Sequence, residues 1–438
     1  MHFFRETQGC LNRTGAALIL FATVILALCS FNVNAAGDVT LDVGVEATID
    51  DNVARLEEAF SDTKLTFFGG LTAESSSSFV DVSLNYEVDH SEYQKKTFSS
   101  RHSADGLGRV LLHTTSRAIT WVFENEEKDL VADVAQADTP NNRRQQSVYR
   151  TGPSLNLRLS PLNYLSTSAY IEESHLKDGK SDTQRKVYDV SWQRQLTKKL
   201  SFSLGGEFTD LSLDESSNEY TRRRAYAEYS RRINDGKIVA RGGYATTELN
   251  NSGQDFKGVE YHLIFSHGVG YGNFLLLDVT RSLTDSGVSS FRSIEEDSNF
   301  ILGDDGFKLL KADDIRLQYT MPIARNGRIA FTLSRIKKTD DLSISSEIAD
   351  ALGARWTKPI TAVTNFVVQS RFQEFSVENA PTYDKRKSRH IGVEFSLDRR
   401  FGENTSGVCR IRYLKRYGEL GRTYRSNSVQ CGIDYRVF

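Results

Sequence analysis

Glu260, His262 and Ser266 stand close together in the stretch "VEYHLIFSHG". An acid, an imidazole and a hydroxyl are the parts of a hydrolase triad, in which a base activates a nucleophile and a carboxylate orients the base. Spacing argues against it. In an extended chain, residues two and four apart lie about 7 Å and about 13 Å from one another, too far for direct hydrogen bonds. A triad would need partners from neighbouring strands, so the default reading is three polar residues on one face and no enzyme. The acidic runs "IEEDSNF" and "LGDDGF" in 284–311 could hold a calcium ion, but they lack the spacing of an EF-hand. The chain has no Walker loop, no HExxH and no CxxC, and "GGLTAESSSS" lacks the lysine of a phosphate cradle. No cofactor or metal is expected.

Charge of both signs recurs on one parity of the segments that carry it. The basic members are Arg158, Arg222, Arg224, Arg316, Arg328, Arg371, Arg410 and Arg412; the acidic members are Asp189, Glu207, Glu228, Asp278, Glu394 and Asp398, with Glu260 and His262 in line. Arg contacts carboxylate or phosphate groups, so such a surface suits a hydrated path for a polar or anionic solute. It equally suits charges that pair with one another and stiffen the wall.

What must position them is a repeated period of two. In "KLSFSLGGEF", Leu200, Phe202, Leu204 and Phe208 share a face, opposite Ser201, Ser203, Gly205 and Glu207. In "RHIGVEFSLD", Ile391, Val393, Phe395 and Leu397 oppose Gly392, Glu394, Ser396 and Asp398. "ITAVTNFVVQSRF" (360–372), "GRIAFTLSR" and "VEYHLIF" behave likewise. Tight connections are read at 160–164, 196–199, 233–237, 268–273, 324–328, 357–360 and 401–405, some with the Asn-Gly or Asp-Gly of short hairpins. Longer polar connections are read at 129–147, 176–184, 213–219, 249–256, 284–311 and 377–387. The two kinds alternate, with tight turns about 36 residues apart in the middle of the chain, an architectural repeat rather than a sequence repeat.

Short turns on one rim and long loops on the other mark an outer-membrane barrel. In lipid every backbone N–H and C=O needs an internal partner, so the sheet must close on itself, apolar outside and free to be polar inside. The expectation is an all-β fold: a transmembrane, antiparallel, up-and-down β-barrel of about 18–20 strands over residues 37–438, with strands of about 12 residues. The first pairs are read at 38–50 with 64–72 and at 79–88 with 109–115. Trp192, Tyr229, Tyr319, Trp356 and Tyr413 suit interfacial girdles.

Composition agrees. Tyr and Phe number 18 and 25 against only 6 Pro, which favours many strands. A mean hydropathy of −0.42 argues against a helical membrane protein but not against a barrel, whose apolar residues occupy every second position. A net charge of −2 gives no basic field for nucleic acid. Residues 1–36 read as a secretory signal peptide: Arg5 and Arg13 precede the run "TGAALILFATVILALC", and Val33 and Ala35 stand in the −3/−1 arrangement, with cleavage at Ala35–Ala36. Cys29 raises a lipidated alternative, against which Leu28 stands where a small residue is usual.

Past the leader only Cys409 and Cys431 remain. A turn centred at Leu420 opposes them directly, close enough for a disulfide; two small apolar residues facing lipid is the bland alternative. The last segment, "TYRSNSVQCGIDYRVF", reads as the closing strand, with Tyr435 and Phe438 in the place of an assembly signal. Phe438 falls on the opposite parity from Val429, Cys431, Ile433, Tyr435 and Val437, so either the strand bulges or the signal is a variant.

One stretch carries a resemblance. "TWVFENE", then "ADTPNNR", then "TGPSLNLRL" within 116–161, with the hairpins "VYDVSWQRQLTKKLSFSLGGEF" and "RRRAYAEYSRRINDGKIVARGGY", resembles the PEP-CTERM system-associated outer-membrane β-barrel family. The resemblance is specific mainly in 116–245. It implies a Gram-negative outer-membrane location and a role beside exosortase and exopolysaccharide loci, as a channel or accessory for polysaccharide export. It supplies no catalytic residues. The expected partners are the lipid bilayer, the barrel-assembly machinery, polysaccharide and periplasmic export components. The rival readings are a general diffusion porin, a structural barrel with a filled lumen and, last, an outer-membrane hydrolase.

Overall fold

The computed structural model describes residues 37–437, apart from 133–136, 178–181, 214–218, 251–254, 286–308, 324–325, 341–344, 380–383 and 419–422. The leader with Ala35 and Ala36, the acidic runs of the longest loop and Phe438 lie outside the described residues. The twenty strands are β1 (Gly37–Asp50), β2 (Asp62–Ser76), β3 (Val80–Tyr93), β4 (Arg101–His113), β5 (Ile119–Val131), β6 (Arg143–Arg158), β7 (Asn163–Leu176), β8 (Thr183–Thr197), β9 (Leu200–Leu213) and β10 (Tyr220–Ile233). They continue as β11 (Gly236–Leu249), β12 (Asp255–Gly268), β13 (Phe274–Asp285), β14 (Leu309–Ile323), β15 (Gly327–Asp340), β16 (Ser345–Thr361), β17 (Thr364–Asn379), β18 (Asp384–Arg400), β19 (Thr405–Gly418) and β20 (Tyr424–Arg436).

Each strand pairs antiparallel with its neighbours in sequence, and β1 pairs with β20, so the sheet closes into a barrel. Closure removes the edges, which answers the demand that lipid places on backbone polar groups. The seam runs from Asp42 opposite Arg436 to Asp50 opposite Ser428. Fourteen residues, the length of β1, rise roughly 35 Å at about 3.3 Å each and a tilt of about 40°. That exceeds an apolar band of about 25 Å, so the strands stand proud of the bilayer. The outer wall shows it: on β12, Val259, Tyr261 and Leu263 are exposed apolar residues, and the same face ends at the long-loop rim in Lys257 and Asp255. A closed antiparallel barrel with an apolar outer wall is the architecture of bacterial outer-membrane proteins, and the chain spans that membrane as one.

Register assigns the faces. Cross-strand partners share a face, and the exposed apolar set Leu263, Leu333, Leu352, Phe372, Phe395 and Ile411 lies on one of them. The opposite face holds the buried polar residues Thr209, Arg222, Thr247 and Glu260 and is the lumen. Trp192, Tyr229, Tyr319 and Trp356 face outward towards the short-turn rim, while Tyr413 faces outward nearer the long-loop rim, opposite Asn427.

Several expected boundaries shift: the connection read at 129–147 gives way to β6 from Arg143, the strand read at 79–88 runs on to Tyr93, and two more shifts have a local cause. The tight turn expected at 357–360 is strand: β16 runs on to Thr361, and the turn is Ala362–Val363. Pro359 has no N–H to donate, and the ladder accommodates it opposite Asn365 with a register shift before Thr361. The strand expected at 109–115 is Arg101–His113 instead, its first residues held by the ladder with β3; within it Tyr86 covers Gly106 and Gly108, whose missing side chains leave room for its ring. Beyond Gly106 and Glu127 the β4–β5 ladder stops, and the Gln145 side-chain amide bonds both the C=O and the N–H of Ala104, standing in for a strand partner.

Candidate functional site

The lumen face carries two chains of ion pairs: the first climbs from Arg109, four residues from the short-turn end of β4, to Arg185, two residues from the long-loop end of β8, and the second lies in the extracellular half. The first crosses five consecutive strands with alternating sign. Arg109 Nε on β4 donates to Glu124 Oε1 on β5 at 3.0 Å, and Arg150 Nη1 on β6 meets Glu124 Oε2 at 3.0 Å. Arg150 Nη2 reaches Glu172 Oε2 on β7 at 3.2 Å, and Arg185 Nη1 on β8 meets Glu172 Oε1 at 2.5 Å. The ladder puts opposite charges directly across from one another, Glu124 opposite Arg150 and Glu172 opposite Arg185. The Arg150 guanidinium also lies 4.7 Å from the centre of the Tyr170 ring.

The second chain reaches across β9 to β13. Arg222 Nη2 and Arg224 Nη1 on β10 each lie 3.2 Å from Glu207 Oε1 on β9. Arg224 also clasps Glu260 on β12, through Nη2 at 3.0 Å and through a shorter contact from Nε. Here β13 departs from the barrel wall. Its ladder with β12 ends at Tyr261 and Arg281, and Leu283 folds over Gly258 into the lumen. The Leu283 N–H donates to Glu260 Oε1 at 2.8 Å, and its C=O accepts from Arg222 Nη1 at 2.9 Å. The ion pairs therefore supply the backbone partners that β13 forfeits by bending inward. Beside them Leu211, Tyr220, Leu249 and Leu309 form a buried apolar cluster, with Phe256 against it.

The periplasmic half is looser. Arg241 Nη2 pairs with Glu228 at 2.6 Å, and Arg412 Nη2 pairs with Glu394 at 2.5 Å. Tyr226, under the Arg241 guanidinium, donates its hydroxyl to Asp189 Oδ2 at 3.3 Å. Asp398 accepts from Ser396 at 2.7 Å. Arg158 and Arg328 make no ion pair among the described residues, whereas the charge of Arg410 acts on Glu87. Arg316 faces Asp278 across the β13–β14 ladder, and Arg371 faces Gly392 across β17–β18.

All sixteen charged or imidazole residues singled out from sequence thus share the lumen parity, and the structure joins Arg222, Arg224, Glu207 and Glu260 into one network. It does not assemble the acid–imidazole–hydroxyl set. Glu260 is committed to Arg224 and Leu283, Ser266 Oγ sits 3.5 Å from the Lys237 carbonyl oxygen, and His262 Nε2 pairs instead with Asp278 Oδ1 at 3.1 Å. The sequence reading missed the five residues of the first chain. Their signal was present: Ile119, Trp121 and Phe123 face outward, which puts Glu124 on the other face. Of the two readings open for the cysteine pair, the disulfide is the one present: Cys409 and Cys431 are directly opposed, bonded, with Cα atoms 4.2 Å apart, on the outward face between Leu397 and Ala47. Tyr435 faces outward at the seam, opposite Val43 and Thr405.

No protein-family model matches the chain, and no curated protein matches it. Among solved structures, the FrpB iron transporter from Neisseria meningitidis (F5-1 variant) is similar at 9% identity over 91% of this chain and 82% of that one, with a TM-score of 0.47. Pseudomonas aeruginosa OccK7 (OpdD) is similar at 12% identity over 92% and 100%, with a TM-score of 0.43. The outer membrane protein OpdK of the same organism gives 9% over 91% and 99%, with a TM-score of 0.41. These likenesses are too distant to carry an argument about function; the architecture rests on the strand register.

Proposed function

We propose that the barrel is a channel with a vestibule open to the periplasm and a constriction near the outer surface, conducting a hydrophilic, anionic solute. The observation that supports it is the contrast between the two halves of the lumen. Charges of the second chain and of the upper end of the first are paired and packed, so their fields cancel locally, while Arg158 and Arg328 near the periplasmic end make no ion pair among the described residues. Guanidinium groups in a water-filled pore draw in carboxylate or phosphate groups. Within this reading the solute is an acidic polysaccharide on its way out, in keeping with the family resemblance of 116–245, and the protein is not an enzyme.

The test is planar-bilayer conductance of the purified barrel under a salt gradient. The expected result is anion preference, reduced in R158Q/R328Q, with block by an acidic polysaccharide added on the periplasmic side only. Conductance without ion preference, indifferent to the polymer, supports a general porin instead; no conductance at all supports a structural barrel.

A further inference from the structure

Above the apolar belt of the outer wall, β3 and β4 place His90 and His102 directly across the ladder from one another. Their Nδ1 atoms are 3.2 Å apart, and the ring centroids 4.3 Å. The other nitrogen of His90, Nε2, lies 3.1 Å from Oε1 of Glu92. Both imidazoles line a cleft of about 500 Å³, shared with Val88, Gln145 and Lys177.

Two neutral imidazoles can share one proton between facing nitrogens, and that alone would account for the contact. The carboxylate says more. A carboxylate on the remote nitrogen holds the proton there, which leaves the Nδ1 lone pair of His90 free to bind. An ion about 2.0–2.1 Å from two nitrogens 3.2 Å apart subtends an angle of about 100° at the metal, close to tetrahedral. Ladder geometry supplies the spacing, since directly opposed side chains start about 4.5–5.5 Å apart at Cβ. We propose that His90 and His102 form a two-histidine chelate for a divalent transition-metal ion such as Zn²⁺ or Ni²⁺, with Glu92 as its outer carboxylate. Among the described residues no third His, Cys, Asp or Glu converges on the pair, so water completes the coordination and the ion exchanges readily. Lys177 in the same cleft opposes a cation and weakens the site further. Because the pair faces the outer surface and not the lumen, binding is independent of conduction.

The test is calorimetric titration of Zn²⁺ and of Ni²⁺ into the purified, chelator-stripped full chain in detergent, with gel mobility before and after heating as the check that each variant is folded. The expected result is one site in the micromolar range, weakened at least tenfold in H90Q and in H102Q and roughly tenfold in E92Q. H175Q, which changes a histidine beside Glu173 and Asp182 on another hairpin, should leave it unchanged. No binding up to millimolar Zn²⁺, binding that survives H90Q or H102Q, or loss in H175Q alone overturns the proposal.

Discussion

Removing the Glu260 carboxylate tests whether the buried ion pairs hold the extracellular end of β13 inside the lumen. Glu260 accepts from Arg224 Nη2 at 3.0 Å and from the Leu283 N–H at 2.8 Å, and its side chain is only 9% exposed. In E260A, Arg224 keeps Glu207 but loses its closer partner, and the Leu283 N–H loses its acceptor. Breaking one side of a buried pair costs about 3–5 kcal/mol, and an orphaned N–H costs about 1–3 kcal/mol. Release of β13 lets water reach both groups, so the loss should fall at the lower end, about 3 kcal/mol. Urea unfolding of the barrel in lipid vesicles measures it. The double variant R224A/E260A should lose less than the sum of the singles by more than about 0.5 kcal/mol, because it leaves no unmatched carboxylate or guanidinium between the two positions. In planar bilayers E260A should conduct more and prefer anions more strongly, since the constriction opens and gains one net positive charge. Unchanged stability together with additive singles would refute the idea that these pairs position β13.

Three further outcomes follow from features elsewhere in the barrel. C409S/C431S should assemble, because β19 and β20 pair along their whole ladder, yet unfold about 3 kcal/mol more easily once the cross-link no longer restrains the unfolded chain; urea titration measures this. Asp62, at the loop end of β2, is buried, which raises its carboxyl pKa, but hydrogen bonds from Thr97, Lys95 and Thr63 outweigh this and hold it below its ordinary 3.8. That contribution is complete above about pH 4 and disappears as pH falls through the depressed value. Limited proteolysis should therefore cut residues 94–100 readily in strong acid in the native protein, and already at neutral pH in D62N. In G205V a Cβ would fall 2.3 Å from the Tyr226 ring, so the ring must leave Asp189; the expected cost is about 1–3 kcal/mol, with a changed tyrosine environment in near-ultraviolet circular dichroism.

Much of the architecture is legible because a lipid-facing sheet repeats one rule. Alternation identified the lumen parity of Glu207, Arg224 and Glu260, and the opposition of Cys409 and Cys431 followed from the position of one turn. Where local chemistry competes with the rule, the reading falters. Pro359 looks like a turn former, yet a bulge keeps it within β16. The outward Asn125, Glu127 and Asp129 blur the alternation of β5, because that strand rises beyond the apolar belt, and the ladder from Arg109 to Arg185 was overlooked with it. The clasp of Arg224 on Glu260 skips over β11, and the inward turn of β13 depends on it. Such contacts arise from the curvature of the closed wall, which no alternation encodes.

The bridge between Cys409 and Cys431 has a bearing on assembly. It looks out from the wall among Leu397, Ile411 and Ile433, at a depth where acyl chains exclude thiols and oxidants dissolved in water. Oxidation must therefore precede insertion, while the chain is still in the periplasm. The C-terminal hairpin would enter the bilayer already tied, its two strands locked in step before the first strand arrives to close the ring.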